Sequence, residues 1–506
     1  MYNAKYVKIL IFSTITISLV YNTCRIYPKT STTNQNLTIY KYIHKNYFQH
    51  YNDGADYLIN TPGCYIPNYL KTYKIKETPP LNKTCGERAV FIKKITNDII
   101  KFYIDNKVGY NTFPNVLPLL TGKNVSAVYA ACSSGMDRCN ELLIWSAYQK
   151  AGYVTATGEE YLRLPDTFAK YGYRSSPTDH YLRPLFLTGE NFNGNLVCTK
   201  KMPSAKHMLN YATQFANAYK QNNYFGVFWS NSYSHNIENS PTLIDKDIVS
   251  FFTTLNETGV LNNTFIFFLS DHGTRYGKMR VPYESYYDER LPMLFIWVPY
   301  HFKKLHRNAY NSFILNQNRL VTPYDIYLTL QEIMLISTAS EQYHKPNSDA
   351  CPNCTSMFNE IDPMRKCNDV DVREKWCTCH EMRSLTELDE DMRRSIDICV
   401  TQLQEKVKNT PTTPCMKCIE LKLKTILRTH AYRDESTNST YFIIAFVMTP
   451  GDVAFEATVV KRNNEFSVIQ PTYSITSYNA RGSCVVIPYD RQHCVCMKIK
   501  NCKNKQ

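Results

Sequence analysis

The sequence lacks a dense basic block and a nucleic-acid-reading motif, although its formal net charge is +14. Proteins that bind nucleic acids gather positive charge into a patch or carry a known reader motif. We therefore expect no nucleic-acid partner. The lysines and arginines are spread along the chain, which is typical of a solvated surface and also suits a protein that meets anionic partners.

The N-terminus has no apolar run of full membrane-spanning length. Lys5 and Lys8 precede the uncharged stretch 9–24, ILIFSTITISLVYNTC, which is shorter than the roughly 20 residues that a transmembrane helix needs. This length is usual for the apolar region of a signal peptide. No small-x-small cleavage site is evident, so a retained anchor at the membrane is the alternative. We set aside a buried strand, because the stretch lies at the extreme N-terminus behind two lysines.

Two further features indicate the secretory pathway, with the bulk of the chain luminal or extracellular, either secreted or anchored as a type II membrane protein. Asn-x-Ser/Thr glycosylation sequons begin at Asn36, Asn82, Asn124, Asn256, Asn262, Asn353 and Asn438. The chain also has 18 cysteines, and 12 of them follow residue 350. In an oxidising compartment we expect a glycoprotein with disulfides, and zinc knuckles are the alternative for the C-terminal cysteines.

The length of 506 residues indicates two to four domains. A hydrophobic content of 43% with 20% charged residues is that of a globular protein. We expect a signal peptide or signal anchor over 1–24, and an N-terminal luminal segment over 25–85 with Cys64 and Cys85 as staples. A core over 86–340 and a Cys-rich domain over 341–506 follow.

The core alternates apolar runs of strand length with amphipathic helices. The runs are Tyr224 to Trp229, Thr264 to Leu269 and Met293 to Val298, and helices are predicted within 140–152, after Pro241 and from Thr322. Continuous apolar strands that alternate with helices predict an α/β fold, with a mainly parallel sheet covered by helices on both faces.

Polar residues follow two of these strands directly. Asp271 and His272 come after one strand, and Ser230 to His235 come after another. Ligands bind beyond the carboxyl ends of strands in open α/β sheets, so both groups are expected at one rim. An Asp-His pair offers an oxygen and a nitrogen to a divalent cation, yet Asp and Gly are also ordinary turn formers.

Thr112 opens a predicted helix in the stretch NTFPNVLPLLTG, residues 111–122. A hydroxyl at a helix start can act as a nucleophile when a metal lowers its pKa, and the helix N-terminus favours the developing anion. The alternative is that Thr112 only caps the helix.

These residues together resemble the alkaline phosphatase and sulfatase superfamily. The resemblance rests on Thr112-x-Pro114 with Leu120-Thr121-Gly122, followed far downstream by a strand and Ser270-Asp271-His272-Gly273. More narrowly, NKVGYNTFPNVLPLLTG, PTDHYLRPLF, SYSHN, GVLNNTFIFFLSDHGTRYGKMR and DERLP, with the C-terminal WCTCH and HCVCMK, resemble an uncharacterised animal family of secreted sulfatase-like proteins built on a domain of unknown function. The resemblance implies an alkaline phosphatase-like core with a Cys-rich α+β region behind it.

The resemblance also implies roles for particular residues. Thr112 matches the nucleophile that bridges to the metal, Asp271 and His272 match metal ligands, and His235 matches a ligand or an acid near the leaving group. Lys278 and Arg280 match positions that contact the oxyanion, with simple surface charge as the alternative. The implied cofactor is zinc or calcium, and the implied substrate or ligand is an anionic ester or a sulfated or phosphorylated glycan.

The sequence departs from the superfamily where the first strand and its Asp should stand. Only 26 residues separate Cys85 from Thr112, and the Asp residues among them are Asp98 and Asp105. Asn231 occupies the position four residues before His235, where a two-metal enzyme of this class has an Asp. We therefore expect an incomplete metal site and weak or absent ester hydrolysis, with an active hydrolase that uses Thr112 as the alternative. A gene model shortened between Arg88 and Val90 would produce the same absence.

Overall fold

The computed structural model describes residues 8–14, 57–61, 64–67, 100–102, 105–132, 136–164, 173, 175–193, 196–235, 243–338, 346–385, 387–476, 480–500 and 502. The chain forms two compact units. The first unit consists of Met1–Gly273 and Arg290–Cys379, and the second consists of Thr274–Glu289 and His380–Gln506. The second unit therefore includes a short segment from the middle of the sequence.

Twelve described strands belong to the first unit and seven to the second. The first unit contains β1 (Lys8–Thr14), β2 (Tyr57–Thr61), β3 (Cys64–Pro67), β4 (Ile100–Phe102), β5 (Val154–Glu159), β6 (His180–Tyr181), β7 (Glu190–Asn193), β8 (Leu196–Thr199), β9 (Met202–Pro203), β10 (Tyr224–Ser230), β11 (Thr264–Leu269) and β12 (Leu294–Trp297). The second unit contains β13 (Arg383–Ser384), β14 (Met416–Cys418), β15 (Lys422–Asp434), β16 (Ser439–Thr449), β17 (Val453–Arg462), β18 (Glu465–Ser474) and β19 (Cys496–Lys498).

The described α-helices are α1 (Thr112–Thr121), α2 (Val125–Ala131), α3 (Ile144–Lys150), α4 (Arg183–Gly189), α5 (Ser204–Ala218), α6 (Asp245–Glu257), α7 (Ser285–Arg290), α8 (Tyr300–Leu305), α9 (Arg307–Asn316), α10 (Pro323–Thr338) and α11 (Glu390–Lys408). The helix predicted within 140–152 is divided into a 3₁₀ turn, Met136–Leu142, and α3. No described helix has the length and hydropathy that crossing a membrane requires.

A seven-stranded sheet in the order β4-β12-β11-β1-β10-β5-β6 forms the centre of the first unit. Strands β11, β1, β10, β5 and β6 run parallel, whereas β12 is antiparallel to β11. Every residue of β10 and β11 is buried, as their unbroken apolar sequences require. The predicted α/β fold with a mainly parallel sheet is confirmed.

Helices cover both faces of this sheet, because alternate side chains of a strand point to opposite sides. On one face, Phe225, Val227 and Trp229 share a core with α1, α3 and α10. On the other face, Tyr224 and Phe228 share a core with α5 and α6. Each fully buried large apolar side chain contributes about 1.5–3 kcal/mol to stability.

The expectation that the first strand is missing is wrong. β1 lies between β10 and β11, and its residues Lys8 to Thr14 align with Tyr224 to Ser230 of β10. Residues 8–14, the first part of the N-terminal apolar region, thus enter the sheet as a strand, which is the interpretation that the sequence analysis set aside. The sequence favoured a signal segment because the stretch lies at the N-terminus behind lysines. Its length is also that of a strand, and the structure shows that this second property was the informative one. β1 ends on Ser13 and Thr14, so it brings no carboxylate.

The first unit extends beyond the boundary expected at residue 340. Met357, Phe358 and Ile361 lie in the core that faces α10. Arg365 forms a buried ion pair with Asp325 at 2.9 Å. A disulfide joins Cys64 to Cys379 at the end of the unit. These contacts place the boundary at Cys379, since the preceding segment has its apolar and charged partners in the first unit.

The second unit is built on an antiparallel sheet in the order β13-β15-β16-β17-β18. α11 packs Met392, Ile396 and Leu403 against apolar residues of this sheet. Disulfides join Cys415 to Cys502, Cys418 to Cys494 and Cys484 to Cys496. The predicted Cys-rich α+β region is confirmed, and these C-terminal cysteines form disulfides.

Asp105 is a buried acid in the first unit, only 2% exposed, and it forms an isolated parallel bridge with Val321. Burial raises its pKa well above the usual value, and the negative charge of Asp325 raises the pKa further. The carboxylate of Asp325 is itself fixed by Thr322 and Arg365. The folded state therefore favours the neutral form of Asp105.

We expect the substitution Asp105→Asn to flatten the pH dependence of the unfolding free energy. The folded state binds the Asp105 proton more tightly than the unfolded chain does. The stability from this proton is complete below the ordinary pKa of 3.8 and is lost as the pH rises toward the raised value. At neutral pH the variant should gain on the order of 1–3 kcal/mol. Differential scanning calorimetry at about pH 4.5 and about pH 7.5 measures this difference.

Asp179→Asn is the matched control. The amide and hydroxyl of Thr155 both donate to Asp179 Oδ2 at 2.8 Å. Burial alone would raise the pKa of Asp179, but these hydrogen bonds and one from Gln149 outweigh burial and lower the pKa. The ionised Asp179 carboxylate stabilises the folded state at neutral pH, and this stabilisation is lost as the pH falls. The Asp179→Asn variant should therefore be less stable at neutral pH. If the unfolding free energies of the two variants changed with pH in the same way, the raised pKa assigned to Asp105 would be contradicted.

Candidate functional site

The carboxyl ends of the parallel strands bring several polar residues to one rim of the first unit. β5 ends at Glu159 and is followed by Glu160, and β10 ends at Ser230 and is followed by Asn231. Asp271 lies two residues after the end of β11. β1 lies between β10 and β11 and ends on Thr14. Because the parallel register aligns these ends, the rim is the part of the fold where a ligand site is expected.

Asp271 and His272 are buried and touch each other. His272 Nε2 lies 3.3 Å from Asp271 Oδ2, and His272 Nδ1 lies 2.8 Å from the carbonyl oxygen of Gly273. A carbonyl only accepts, so Nδ1 carries a hydrogen. In a neutral ring, Nε2 then directs its lone pair toward the carboxylate. Two acceptors face each other at close range, an arrangement that favours a proton or a cation between them.

Thr112 is the first residue of α1 and is 6% exposed. The segment before it is fixed by Asn115, whose Oδ1 accepts hydrogen bonds from the amides of Val108 and Gly109 at 2.9 and 2.8 Å. Asn115 Nδ2 donates to the carbonyl of Asn111 at 2.8 Å. The position of Thr112 is therefore set by its own helix together with a buried amide one turn later.

Gly109 is required by close packing in this segment. A Cβ at this position would lie 2.5 Å from Cβ of Pro114, closer than atoms can approach. The backbone at position 109 and the ring of Pro114, in the first turn of α1, can therefore pack this closely only because residue 109 has no side chain.

His235 is exposed and lies beyond the end of β10. Its amide donates to the carbonyl of Asn231 at 3.1 Å, and its ring lies 6.4 Å from that of Tyr161. Among the described residues, no group of three His, Cys, Asp or Glu ligands includes His235, Asp271 or His272. Asp271 and His272 lie in contact, and among the described residues His235 forms no compact three-ligand group with them.

The sequence analysis missed Glu160, which is fully buried. Its Oε1 accepts hydrogen bonds from the amides of Asn231 and Ser232 at 2.6 and 2.7 Å and from the hydroxyl of Ser230 at 2.9 Å. Glu160 therefore ties the end of β5 to the turn that follows β10.

Both polar atoms of the Asn231 side chain are hydrogen-bonded between the ends of β5 and β10. Its Nδ2 donates to the carbonyl of Glu160 at 2.8 Å and to Glu159 Oε1 at 3.2 Å, while its Oδ1 accepts from Trp229 Nε1 at 3.0 Å. Asn231 acts here as a structural link.

Burial raises the pKa of Glu160 to about 7. The hydrogen bonds from Ser232, Ser230 and Asn231 lower the pKa, and the charge of Glu190 raises it, so burial remains the dominant cause. The adjacent acids Glu159 and Glu160 at the end of the predicted strand YVTAT were the available sequence signal. Their burial could not be seen in that pattern.

Lys278 and Arg280 belong to the second unit. Lys278 is exposed. Arg280 is fully buried, donates to the carbonyl of Ser285, and pairs with Glu456 at 3.0 Å and with Glu289 at 3.6 Å. The guanidinium of Arg280 thus has structural partners within its own unit. Its predicted contact with an oxyanion gains no support from these bonds.

Among the described residues, no group of three close His, Cys, Asp or Glu ligands lies at this rim. Catalytic zinc has three protein ligands, and calcium takes six to eight oxygens. Within the described chain, the rim supplies one carboxylate and one imidazole in contact. Asp105 is buried beside Asp325, and Asp98 lies outside the described residues. The described cysteine clusters, Cys367 with Cys377 and Cys379 and Cys484 with Cys494 and Cys496, consist of disulfide-bonded residues.

Similar structures include three bacterial proteins. A protein in the alkaline phosphatase superfamily from Vibrio parahaemolyticus is 12% identical with a TM-score of 0.39, covering 93% of this chain and 83% of that chain. A Bacteroides thetaiotaomicron protein described with the metabolism of multiple glycosaminoglycans is 11% identical with a TM-score of 0.38, covering 91% and 90%. The zinc complex of the C-terminal periplasmic domain of EcEptC from Escherichia coli is 9% identical with a TM-score of 0.36, covering 73% and 97%.

These likenesses are distant, and what those proteins bind is a property of those proteins. Among curated proteins, no match is found. The family described as Protein of unknown function (DUF229) has a model that matches residues 88–427, well over half of the chain. This range includes Thr112, His235, Asp271 and His272. The chain belongs to the DUF229 family.

Proposed function

We propose that this chain is a sulfatase- and phosphatase-like ectodomain of the secretory pathway. In this proposal it binds anionic esters, in particular sulfated or phosphorylated glycans, and hydrolyses them weakly or not at all. Two features support the proposal. The carboxyl ends of parallel strands meet at one rim, and among the described residues there Asp271 and His272 are the pair suited to a metal.

The observation that carries the proposal is the composition of the rim. β1 ends without a carboxylate, Asn231 is held by Trp229, Glu159 and Glu160, and Asp271 lies against the imidazole of His272. Electrostatic stabilisation of a developing oxyanion is often the largest single contribution to such catalysis, worth about 3–4 kcal/mol for one donor. Without a firmly held cation, turnover should fall by orders of magnitude.

Two features support an anionic ligand and an oxidising compartment. The net charge of +14 attracts anions over long range. The described disulfides, among them Cys64–Cys379 and Cys367–Cys377, are typical of proteins that fold outside the cytosol. Secretion and glycosylation are parts of this proposal, whereas an anchor formed by residues 8–14 is not, because these residues pair with β10 and β11 in the sheet.

An active hydrolase with Thr112 as nucleophile is the second candidate. One observation favours it: Thr112 begins a helix, and Asn115 fixes the segment before it. Such rigid placement suits a nucleophile as well as a structural helix start, so activity measurements must separate the two candidates.

We expect the purified protein to turn over aryl sulfate and aryl phosphate esters at the same low rate as its Thr112→Ala variant, with zinc or calcium added. A threonine hydroxyl is a weak nucleophile unless a base or metal lowers its pKa, and the described rim provides no complete metal site. Release of the coloured aryl alcohol measures the rate.

Thr112→Ser is the control, because it retains a hydroxyl. Turnover that falls about 10³-fold in Thr112→Ala and survives in Thr112→Ser would establish the second candidate instead. Calorimetric titration with a sulfated disaccharide and its desulfated counterpart tests ligand binding separately. Equal affinity for both sugars would contradict the proposed preference for anions.

We also expect removal of metal to leave the protein essentially unchanged. Treatment with a chelator should shift Tm by less than about 2 °C, because a pair of ligands holds a divalent cation too weakly to stabilise the folded state by mass action. Thermal unfolding and elemental analysis give the two readouts. Stoichiometric zinc that is lost in Asp271→Asn but kept in Asp349→Asn, an exposed acid, would show that the site is complete.

A further inference from the structure

A cleft of about 470 Å³ lies on the surface of the first unit, where α8 meets α9. Its lining residues are Lys304, Leu305, His306, Arg307, Asn308 and Ala309. Pockets that bind small ligands have volumes of about 300–1,000 Å³, so this cleft has the size of a ligand site. Two of its lining residues carry a positive charge, and none is acidic.

The chain around the cleft is basic as well. Residues 291–324 contain no Asp or Glu but include four lysines and arginines. Arg319, one of these four, pairs with Glu360 at 3.6 Å. Lys304 and Arg307 are exposed, and neither forms an ion pair with a described residue. The positive charge of the cleft therefore remains free to attract an anion.

The turn between α8 and α9 is anchored to the core by aromatic packing. Lys303 Nζ lies 5.0 Å from the ring centre of Trp297, a buried residue of β12. The ring of His306 stacks on that of Phe302, with 4.6 Å between the ring centres, and Phe302 is buried in the core. The backbone that carries Lys304 and Arg307 is thus fixed, so a ligand does not have to order it.

The start of α9 contributes to the same field. α9 begins at Arg307, and no side chain caps it by a hydrogen bond. The first amides of a helix have no acceptor within the helix, and the helix start has a partial positive charge. Burial lowers the pKa of His306, so its ring is neutral at neutral pH and supplies a hydrogen bond without charge.

The cleft lies at the edge of the sheet that is opposite to the rim. β12 is antiparallel to β11, and its last residue, Trp297, pairs with Ile266 near the start of β11. α8 follows β12 closely, and His301 Nδ1 contacts the side-chain oxygen of Asn263, the residue just before β11. The cleft is therefore separate from the polar residues at the rim.

We propose that the cleft between α8 and α9 binds a sulfated polysaccharide chain, with Lys304 and Arg307 contacting its sulfate groups. Sulfate oxygens accept hydrogen bonds from ammonium and guanidinium groups, and charge-assisted bonds are the strong ones. A nucleic acid fits less well, because tight binding to its backbone uses about 6–10 phosphate contacts. The choice of a glycan rests on the proposed secretory compartment, whereas the rim and its chemistry play no part in it.

The test is calorimetric titration of the full-length protein with a heparin hexasaccharide, at an ionic strength of about 0.15 M. The desulfated hexasaccharide and a single-stranded DNA hexamer are the comparison ligands. The sulfated sugar should bind about tenfold more tightly than its desulfated form, because the charge-assisted contacts are lost without sulfate. It should also bind more tightly than the DNA, because a heparin disaccharide carries several anionic groups and a nucleotide carries one.

Two double variants locate the site. Lys304→Gln with Arg307→Gln should weaken binding of the sulfated hexasaccharide about fivefold or more. The slope of log Kd against log salt concentration should fall by about 2, about one for each lost charge. Lys200→Gln with Lys201→Gln removes the same charge from the exposed turn between β8 and β9, and should change Kd less than about twofold. Thermal unfolding checks that both double variants remain folded.

Four outcomes would overturn the proposal. Equal weakening in the two double variants would mean that the sugar responds only to total charge. Unchanged binding after loss of Lys304 and Arg307 would place the sugar elsewhere, for example at the rim, and would leave the proposed function intact. Equal affinity for the desulfated sugar or for the DNA would rule out a site for sulfated sugars, and so would the absence of any binding. Selective weakening in Lys304→Gln with Arg307→Gln would establish the cleft even if the rim binds no ester.

Discussion

The large sheet depends on one pair of hydrogen-bond ladders, those on the two sides of β1. Strands in a sheet lie about 4.8 Å apart, so without β1 the neighbours β10 and β11 would face each other across about 10 Å, too far for backbone hydrogen bonds. Both neighbours are buried throughout and carry the cores on both faces. The N-terminal segment therefore joins two halves of the sheet, and the rim exists as one surface because these three carboxyl ends are aligned.

At that rim, hydrogen bonds join the turn after β10 to the end of β5. Glu160 uses one carboxylate oxygen to fix the turn after β10, and Asn231 uses its amide to join Trp229 to the end of β5. Such links hold the turn after β10 rigidly. Asp271 and His272 retain the chemistry of a ligand pair, so the rim combines a fixed framework with a small polar centre. Under the proposed function, this combination serves to recognise a ligand and not to convert it rapidly.

The sequence predicted those strands and helices that can be recognised from neighbouring residues alone. β10 and β11 appear as unbroken apolar runs because both faces of the sheet are covered, and α10 begins at Pro323 as its flanking residues indicate. β1 was missed because a short apolar run behind lysines has the same composition in a signal segment and in a central strand. Glu160 was missed because burial of an acid depends on partners 70 to 72 residues away. The placement of Arg280 depends on Glu456, 176 residues later, and no local pattern reveals such a partner.

The separation of 176 residues between Arg280 and Glu456 determines when this buried polar cluster can form during synthesis. Arg280 and Glu289 emerge from the ribosome long before Glu456, Arg428 and Tyr473, the other members of their buried polar cluster. At about 5–20 residues per second, the interval before Glu456 emerges is roughly ten to thirty-five seconds. During that time the segment Thr274–Glu289 has no β-sheet of the second unit on which to fold, although its neighbours on both sides belong to the first unit. The charges of Arg280 and Glu289 keep the waiting segment hydrated, and they are desolvated only when the C-terminal strands arrive.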